Sequence, residues 1–316
     1  MRNRLIVLGG TLLGWAILSS VVVADTIPLS SLDLVGTSQI ISGGTLQLTD
    51  NTDPNPSGPA PAGAAWTPGQ YDVANSFSAN FQFQFTDPTG HLDDGHGGDG
   101  IAFLIQNSAQ GTSAIGEGAG GMGFLGISDS VAIMLDTYQN NSPDYYGDPS
   151  NNYISVNTRG TDFNVPHHFC TSVNGTMQLT ADPNLPSDLT GSSFSPLCTA
   201  NPTLGMTGYG GVPALAPDMD DGQVHDLGIV YTGSVLDIYL DSTLVLAVSI
   251  DLATTLDLQD GTDAFLGFTA GTRFAYQNQD ILNFNITPEP VWSQLWVPAA
   301  MILIVMLTRK WHRGRP

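Results

Sequence analysis

Val131-Ala-Ile-Met-Leu-Asp136-Thr-Tyr138-Gln-Asn140 is the stretch of this chain in which an apolar run leads into a cluster of oxygen ligands. A continuous apolar run of this length is typical of a strand buried on both faces. Calcium prefers carboxylate, amide and backbone carbonyl oxygens at about 2.3–2.6 Å. The side chains of Asp136, Asn140 and, after an acidic loop, Asp148 offer such oxygens. The carbonyl of Tyr138 offers another, so the stretch predicts a buried strand that ends in a calcium site.

Strand patterns recur along residues 25–287, and helical patterns are nearly absent. Between residues 76 and 85, phenylalanines occupy odd positions, which indicates a strand with one buried face. Residues 100–105 form a second continuous apolar run. Residues 227–231 and 235–240 flank Thr-Gly-Ser, which predicts a hairpin. Many strands separated by loops rich in Gly, Pro and Asp predict an all-β sandwich of two sheets.

Both ends of the chain have the composition of targeting segments. Residues 1–24 combine two arginines, an apolar run and Val-Val-Ala, which predicts a secretory signal peptide; a retained anchor is the alternative. Residues 288–316 combine Pro-Glu-Pro, an apolar run and a basic tail, and they resemble a PEP-CTERM sorting signal. That resemblance implies exosortase-type sorting machinery as a partner and at least transient contact with a membrane. A plain C-terminal anchor is the alternative.

The charge of the region between these ends is strongly negative. The chain has 8 basic and 29 acidic residues. Only Arg159 and Arg273 remain among the basic ones once the ends are set aside, which leaves a net charge near −26. Such a field argues against nucleic acid as a partner and favours cations.

The chain has two cysteines, Cys170 and Cys198, and an exported protein is expected to pair them in a disulfide. They lie within residues 163–211, a segment that we interpret as an insertion.

The stretch from Val131 to Asn140 resembles the metal-binding loop of the L-type (legume-like) lectins, which reads Val-Ala-Val-Glu-Leu-Asp-Thr-Tyr-x-Asn and continues with Asp-Pro and His. In that family the loop holds a metal behind a sugar pocket. The resemblance implies a concanavalin A-like jelly roll over residues 25–287. It also implies four calcium ligands: Asp136, the Tyr138 carbonyl, Asn140 and Asp148. The Asn140 amide would donate to the sugar, and the Tyr138 ring would form an apolar wall.

Three further segments resemble the family in the same order. Gly98-Asp99-Gly100 matches Ala-Asp-Gly, in which the aspartate follows a cis peptide bond and accepts hydrogen bonds from two sugar hydroxyls. Gly120-Gly-Met-Gly123 matches a glycine loop, which implies that the Gly123 N–H donates to the sugar. The segment that contains Arg273 and Phe274 matches the loop that sets monosaccharide preference.

Two residues depart from the pattern. Met134 and Tyr153 stand where the family has the glutamate and histidine of a second, transition-metal site. Neither side chain suits Mn²⁺, so we expect the manganese site to be lost and calcium to be retained. Asp144, in a lengthened loop, could replace a missing ligand.

One further cluster lies outside the family's pattern: His91, Asp93, Asp94 and His96. Histidine and aspartate at such spacing can bind a metal, but we interpret the cluster as a solvated loop ahead of Asp99.

These features predict an exported, calcium-dependent protein that binds a glycan or exopolysaccharide at the cell surface or outside the cell. A structural envelope or matrix protein without sugar binding is the alternative. A glycoside hydrolase would need two opposed carboxyl groups, but the Glu-x-Asp-x-x-Glu motif is missing and Glu117 is the only glutamate between the ends. We therefore do not expect an enzyme.

Overall fold

The computed structural model describes residues 25–53, 55, 57–92, 95–140, 148, 150–166, 170–173, 176–179, 212–258 and 261–288. For 170–173, 176–179 and 212–215 it describes the backbone path alone. The predicted signal peptide, the tail from residue 289 onward, Cys198 and most of the predicted insertion lie outside the described residues. The signal peptide, the sorting signal and the disulfide therefore stay predictions.

The described residues form strands with very little helix. In chain order the strands are β1 (Asp25–Thr26), β2 (Asp33–Gly36), β3 (Gln39–Ile40), β4 (Leu46–Thr49), β5 (Ala62–Trp66), β6 (Tyr71–Asp72), β7 (Phe77–Gly90), β8 (Gly100–Gln106), β9 (Ser130–Asp136), β10 (Tyr153–Thr158), β11 (Cys170–Val173), β12 (Thr176–Leu179), β13 (Val212–Leu215), β14 (Val224–Tyr231), β15 (Val235–Leu240), β16 (Thr243–Ser249), β17 (Asp263–Gly271) and β18 (Ala275–Pro288). Helix α1 spans Leu252–Thr255, and 3-10 helices span Leu29–Ser31, Gly111–Ser113 and Ala119–Gly121.

The strands form two antiparallel sheets. The back sheet has the order β16-β15-β14-β7-β18-β4-β3, with β1 beside β18. The front sheet has the order β13-β10-β9-β8-β17-β5-β2, with β6 beside β17. Strands β11 and β12 pair only with each other among the described residues. The predicted all-β sandwich is confirmed, and so is the hairpin, whose arms are β14 and β15.

The space between the sheets is filled by side chains from both of them. Phe81 on β7 lies 4.9 Å, ring centroid to ring centroid, from Phe268 on β17. Phe268 in turn lies 5.0 Å from Phe284 on β18. Aromatic pairs in such tilted geometry contribute about 0.5–1.5 kcal/mol beyond the area that they bury. The alternation predicted from residue 77 to residue 85 is confirmed, because all four phenylalanines are buried in this core.

The front sheet is buried on its outer face as well. On β8, Phe103 and Ile105 point into the core, whereas Ala102 and Leu104 belong to a second apolar cluster on the outer face. The connection between β8 and β9 covers that face, and the Trp66 indole N–H donates to the carbonyl of Ala114, 2.8 Å away. Burial on both faces explains why β8 and β9 have continuous rather than alternating apolar sequences.

Within the described ranges, no helix combines the length and the apolar composition that crossing a membrane requires. The apolar run predicted to span a bilayer lies beyond residue 288.

A histidine on the back sheet is held between two carboxylates. The His225 ring stacks on Phe83 with centroids 5.5 Å apart. Its Nδ1 lies 2.8 Å from Asp241 and its Nε2 lies 3.3 Å from Asp221. Burial lowers the pKa of His225, but the hydrogen bonds to Asp241 and Asp221 and their charges outweigh burial and raise the pKa above its ordinary value.

We expect His225→Gln to destabilise the protein more at pH 5.5 than at pH 9. Because the folded-state pKa is raised, the histidine's contribution is full below about pH 6.5 and is lost as the pH rises through the folded-state pKa. The difference in unfolding free energy is expected to be at most about 1 kcal/mol, the usual range for partly exposed pairs. Urea unfolding at both pH values measures it. His91→Gln, at an exposed histidine, is the control, and an equal loss at both pH values would contradict the assignment.

Candidate functional site

The ends of four neighbouring strands of the front sheet meet at one point. Register places Asp136, the last residue of β9, opposite Gly100 on β8 and Tyr153 on β10. Gly100 is opposite Gly271, the last residue of β17. Asp99, which immediately precedes β8, therefore lies beside the end of β9 and beside the segment that follows β17.

Alternation along β9 determines which way Asp136 points. Ala132 and Met134 belong to the apolar cluster on the outer face of the front sheet. Asp136 continues that row, because every second side chain of a strand lies on the same face. Tyr153 is opposite Asp136 and belongs to the same cluster. The site thus begins where the outer apolar cluster ends.

The backbone around Asp99 is fixed by several hydrogen bonds. The Gly98–Asp99 peptide bond is cis, as the resemblance implied. The carbonyl of Asp99 accepts from the Thr137 N–H at 3.0 Å. The carbonyl of Gly98 accepts from the Thr272 hydroxyl at 2.7 Å. The peptide that presents the Asp99 side chain is therefore tied to the segments that follow β9 and β17.

Two buried glutamines of β18, which were not among the residues predicted from sequence, support this arrangement. The Gln279 amide donates to the carbonyls of Gly98 at 3.1 Å and Gly271 at 3.0 Å. The Gln277 amide donates to the Thr137 hydroxyl at 2.8 Å. Their spacing was the available signal, since amides at alternate positions lie on one face of a strand, and buried amides need partners.

Asp99 is 4% exposed. It accepts a hydrogen bond from the backbone N–H of Arg273. Its Oδ2 is buried and has no donor within the described residues. An acceptor in this state is suited to a ligand hydroxyl, because an unpaired buried acceptor costs free energy.

The predicted metal loop converges on Asp136 and Asp148. The Tyr138 N–H donates to Asp136 Oδ1 at 3.0 Å, and the Asn140 N–H donates to Asp148 Oδ2 at 2.7 Å. The Asn140 side-chain oxygen is buried and has no donor within the described residues. Residues 141–147 and 149, including Asp144, are not among those described.

The Tyr153 hydroxyl lies between two of these carboxylates. It is 2.7 Å from Asp148 Oδ1 and 3.1 Å from Asp136 Oδ2. Tyr153 stands where the resemblance has a histidine. Local sequence does not show that the phenol hydroxyl contacts both carboxylates, because the contact depends on the β9–β10 register and on where Asp148 lies.

The carboxylates have raised pKa values. Burial, followed by the charge of Asp148, raises the pKa of Asp99 well above its ordinary value. Burial and the charge of Asp148 do the same for Asp136. Burial raises the pKa of Asp148 to about 7, although hydrogen bonds from Asn140 and Tyr153 lower it. A nearby cation would offset the unfavourable burial of these charges.

The donor set fits calcium. It offers carboxylates at Asp136 and Asp148 and, at Asn140, a buried amide oxygen that has no donor within the described part of the chain. Oxygen ligands of these kinds are what calcium binds.

Tyr138 and the backbone of Arg273 lie close to Asp99, and Phe274 follows Arg273 in the chain. A Cβ built on Gly98 would lie 2.8 Å from the Tyr138 Cβ, so the tyrosine packs directly on the glycine backbone. Phe274 is 54% exposed. The Arg273 guanidinium carbon lies 5.2 Å from the centre of the Phe274 ring, in cation–π geometry.

Gly123 is placed differently from the expectation. The residue is buried, and its N–H donates to the carbonyl of Glu117 at 2.7 Å. A Cβ at this position would lie 2.7 Å from the carbonyl oxygen of Ala270, and its φ is +70°. Glycine is therefore required here for the fit of the covering loop against β17, while the N–H is already engaged within the protein.

The overall structure is similar to solved lectins of low sequence identity. Peanut lectin, solved with a nine-residue peptide, has a TM-score of 0.54 at 17% identity, with 85% of this chain and 97% of that chain covered. The lectin from Bauhinia forficata, in complex with GalNAc, has a TM-score of 0.53 at 15% identity, with 84% and 98% covered. The exoplasmic/lumenal domain of VIP36, in a Ca²⁺/Man-bound form, has a TM-score of 0.50 at 16% identity, with 83% and 84% covered. These likenesses show a shared fold.

Comparison with a protein-family model shows the family directly, although each pairwise identity is low. The legume lectin beta-barrel domain family matches residues 23–285, which is most of the chain, and the protein therefore belongs to that L-type lectin family.

Proposed function

We propose that this protein binds carbohydrate in a calcium-dependent manner at the ends of β8, β9 and β17. The observation that carries the proposal is a pair of buried oxygens, Asp99 Oδ2 and Asn140 Oδ1, that have no donor among the residues the structure describes and lie beside the buried Asp136 and Asp148. One oxygen is suited to a ligand hydroxyl and the other to a cation. Family membership supports the same function.

Calcium would be held by the side chains of Asp136, Asn140 and Asp148 and by the carbonyl of Tyr138. When bound, it would supply positive charge to carboxylates whose pKa values burial has raised. With its oxygen engaged in this way, the Asn140 amide would have its –NH₂ group oriented toward a ligand.

The sugar would be bound by hydrogen bonds on one side and by an apolar wall on the other. Asp99 would accept from hydroxyl groups, and the Asn140 amide would donate. The Tyr138 ring would form the wall, and the exposed Phe274 with Arg273 beside it would contact the rim of the ligand. Small-molecule sites combine a few placed polar groups with apolar surface in this way. Gly123 is not included, because its N–H donates to Glu117.

The site is proposed to hold one metal rather than two. The Tyr153 hydroxyl contacts the two carboxylates that would otherwise share a second cation, and Met134 is buried in the apolar cluster beneath them. A neutral hydroxyl can donate one hydrogen bond there, but it cannot act as a manganese ligand in the place of histidine.

One observation favours the alternative, a structural protein of the same fold without sugar binding. The bond from Gly123 to Glu117 removes a donor that the resemblance assigns to the ligand. Catalysis is not part of the proposal, since Glu117 is exposed and lies on the covering loop rather than on a sheet face opposite another carboxyl.

The setting of this function is proposed from the ends of the chain. A signal peptide at 1–24 would export the protein, and a PEP-CTERM signal at 288–316 would deliver it to exosortase-type machinery at the membrane. A glycan or exopolysaccharide at the cell surface or outside the cell would then be the partner, and nucleic acid would be repelled by the acidic domain.

Calcium is expected to raise the melting temperature of the purified chain relative to EDTA. At a free calcium concentration a hundred times Kd, binding stabilises the folded state by about 2.7 kcal/mol. This corresponds to a rise in melting temperature of about 5–10 °C for a domain of this size. Asp148→Asn is expected to abolish this rise. It should leave stability in EDTA nearly unchanged, because it also removes a charge that burial disfavours. Thermal unfolding in calcium and in EDTA measures both.

Asp33→Asn serves as the matched control for calcium, since Asp33 is exposed on β2 of the same sheet. This variant should respond to calcium like the unaltered protein. A full calcium response from Asp148→Asn would show that the cation binds elsewhere.

Asp99→Asn is expected to abolish glycan binding while the calcium-dependent rise in melting temperature persists. The substitution keeps the shape of the side chain but replaces one acceptor oxygen with a donor, which opposes a sugar hydroxyl. An array of oligosaccharides and bacterial polysaccharides, probed with the purified chain in calcium and in EDTA, measures binding. Asp33→Asn is again the control.

The array also separates the two functions. Equal binding by Asp99→Asn and the unaltered chain would remove Asp99 from the pocket. A calcium-stabilised chain that binds nothing on the array would instead support the structural alternative.

A further inference from the structure

We propose a second metal site, formed by His96, Asp218 and Asp220, that takes a divalent transition-metal ion such as Zn²⁺. These residues are outside the calcium loop, and the proposal does not depend on sugar binding. His96 lies in the connection between β7 and β8, and the two aspartates lie in the connection between β13 and β14. The sequence pattern assigned His96 to a solvated loop; in the structure its side chain is 25% exposed and its Nδ1 lies 3.0 Å from Asp220 Oδ1.

The three side chains present their ligand atoms to one another. His96 Nδ1 is 3.0 Å from Asp220 Oδ1 and 3.8 Å from Asp218 Oδ1. One ligand atom from each residue lies within 4.8 Å of the other two. Ligands of one metal ion at about 2.0–2.2 Å must lie roughly 3–4 Å from each other. The observed spacing needs little adjustment to reach that geometry.

Asp220 is the residue that indicates a cation. Its side chain is 1% exposed. Its Oδ1 accepts from the Asn152 amide at 3.1 Å and faces His96. Its Oδ2 is buried and has no donor within the described residues, while the neighbouring charged side chain is another carboxylate, Asp218. A protonated His96 would satisfy Oδ1 only, whereas a metal ion can compensate the charge of the whole carboxylate and of its neighbour.

The ligand types select the class of metal. One imidazole nitrogen with two carboxylates suits zinc and neighbouring divalent transition metals, whereas calcium prefers a shell made of oxygen alone. Asp218 is half-exposed, and the His96 side chain is 25% exposed. The outer side of the site can therefore admit water as a further ligand, which is usual where a metal has three protein ligands.

Bound metal would join three segments that support the glycan site. His96 lies three residues before Asp99, so the ion would fix the approach to that residue. Asp220 accepts a hydrogen bond from the Asn152 side-chain amide, whose oxygen accepts one from the Met219 N–H at 2.8 Å. Asn152 immediately precedes Tyr153. The metal would thus link the loop before β8 to the loop before β14 and, through the hydrogen bond from Asn152 to Asp220, to the start of β10.

The test is a titration of the purified chain with Zn²⁺ and, as a spectroscopic probe, with Co²⁺, both in saturating calcium. We expect the chain to bind one equivalent of Zn²⁺ that calcium does not displace. Bound Co²⁺ should give visible absorption bands whose positions indicate nitrogen ligation. His96→Gln and Asp218→Asn should each weaken Zn²⁺ binding at least tenfold. Asn152→Ala, which removes a supporting hydrogen bond, should weaken it about tenfold.

His91→Gln is the matched control, because His91 is exposed on the same connection and is 6.2 Å, ring to ring, from Phe274. It should bind Zn²⁺ like the unaltered chain. If His96→Gln does not fold, the Zn²⁺ affinity of Asp218→Asn, at an exposed residue, and the Co²⁺ spectrum of the unaltered chain still test the site. The proposal is overturned if the unaltered chain binds no Zn²⁺ in saturating calcium, or if Asp218→Asn and His91→Gln bind it equally well.

Discussion

The carboxylates of Asp99, Asp136 and Asp148 are buried so close together that Asp148 raises the pKa of the other two. Burying charges of one sign is unfavourable unless donors or a cation compensate them. The backbone around them is arranged accordingly, with N–H groups of Tyr138, Asn140 and Arg273 directed at the three side chains. Among the described residues this compensation is incomplete, since Asp99 Oδ2 has no donor there.

The sandwich brings these three carboxylates together through strand register, and it buries them because the front sheet is covered on both faces. Antiparallel pairing of β8 with β9 and with β17 brings residues 99, 136 and 271–274 together, although they are far apart in the chain. The connection between β8 and β9 covers the apolar outer face of the front sheet, and this covered face extends along β9 toward Asp136. Asp136 lies on a strand and Asp99 directly before one, and residues held by strands are positioned more precisely than residues on loops alone.

The substitutions at Met134 and Tyr153 act together. Both lie on the outer face, where methionine extends the apolar cluster and the phenol places a hydroxyl against Asp136 and Asp148. The pair of carboxylates therefore keeps a polar partner while the apolar cluster extends toward it. The buried Asp220 next to His96 belongs to a separate cluster of one imidazole and two carboxylates.

The sequence by itself determined the class of fold, the hairpin of β14 and β15, the two strands buried on both faces and the oxygen-rich composition of the loop proposed to bind calcium. These features follow from periodicity and from ligand chemistry over short stretches of chain. Three features depended on tertiary structure: the bond from Gly123 to Glu117, the position of the Tyr153 hydroxyl and the meeting of His96 with Asp220. Each of them depends on how connections pack against the sheets, and local patterns carry no information about such packing when the partners come from separate segments.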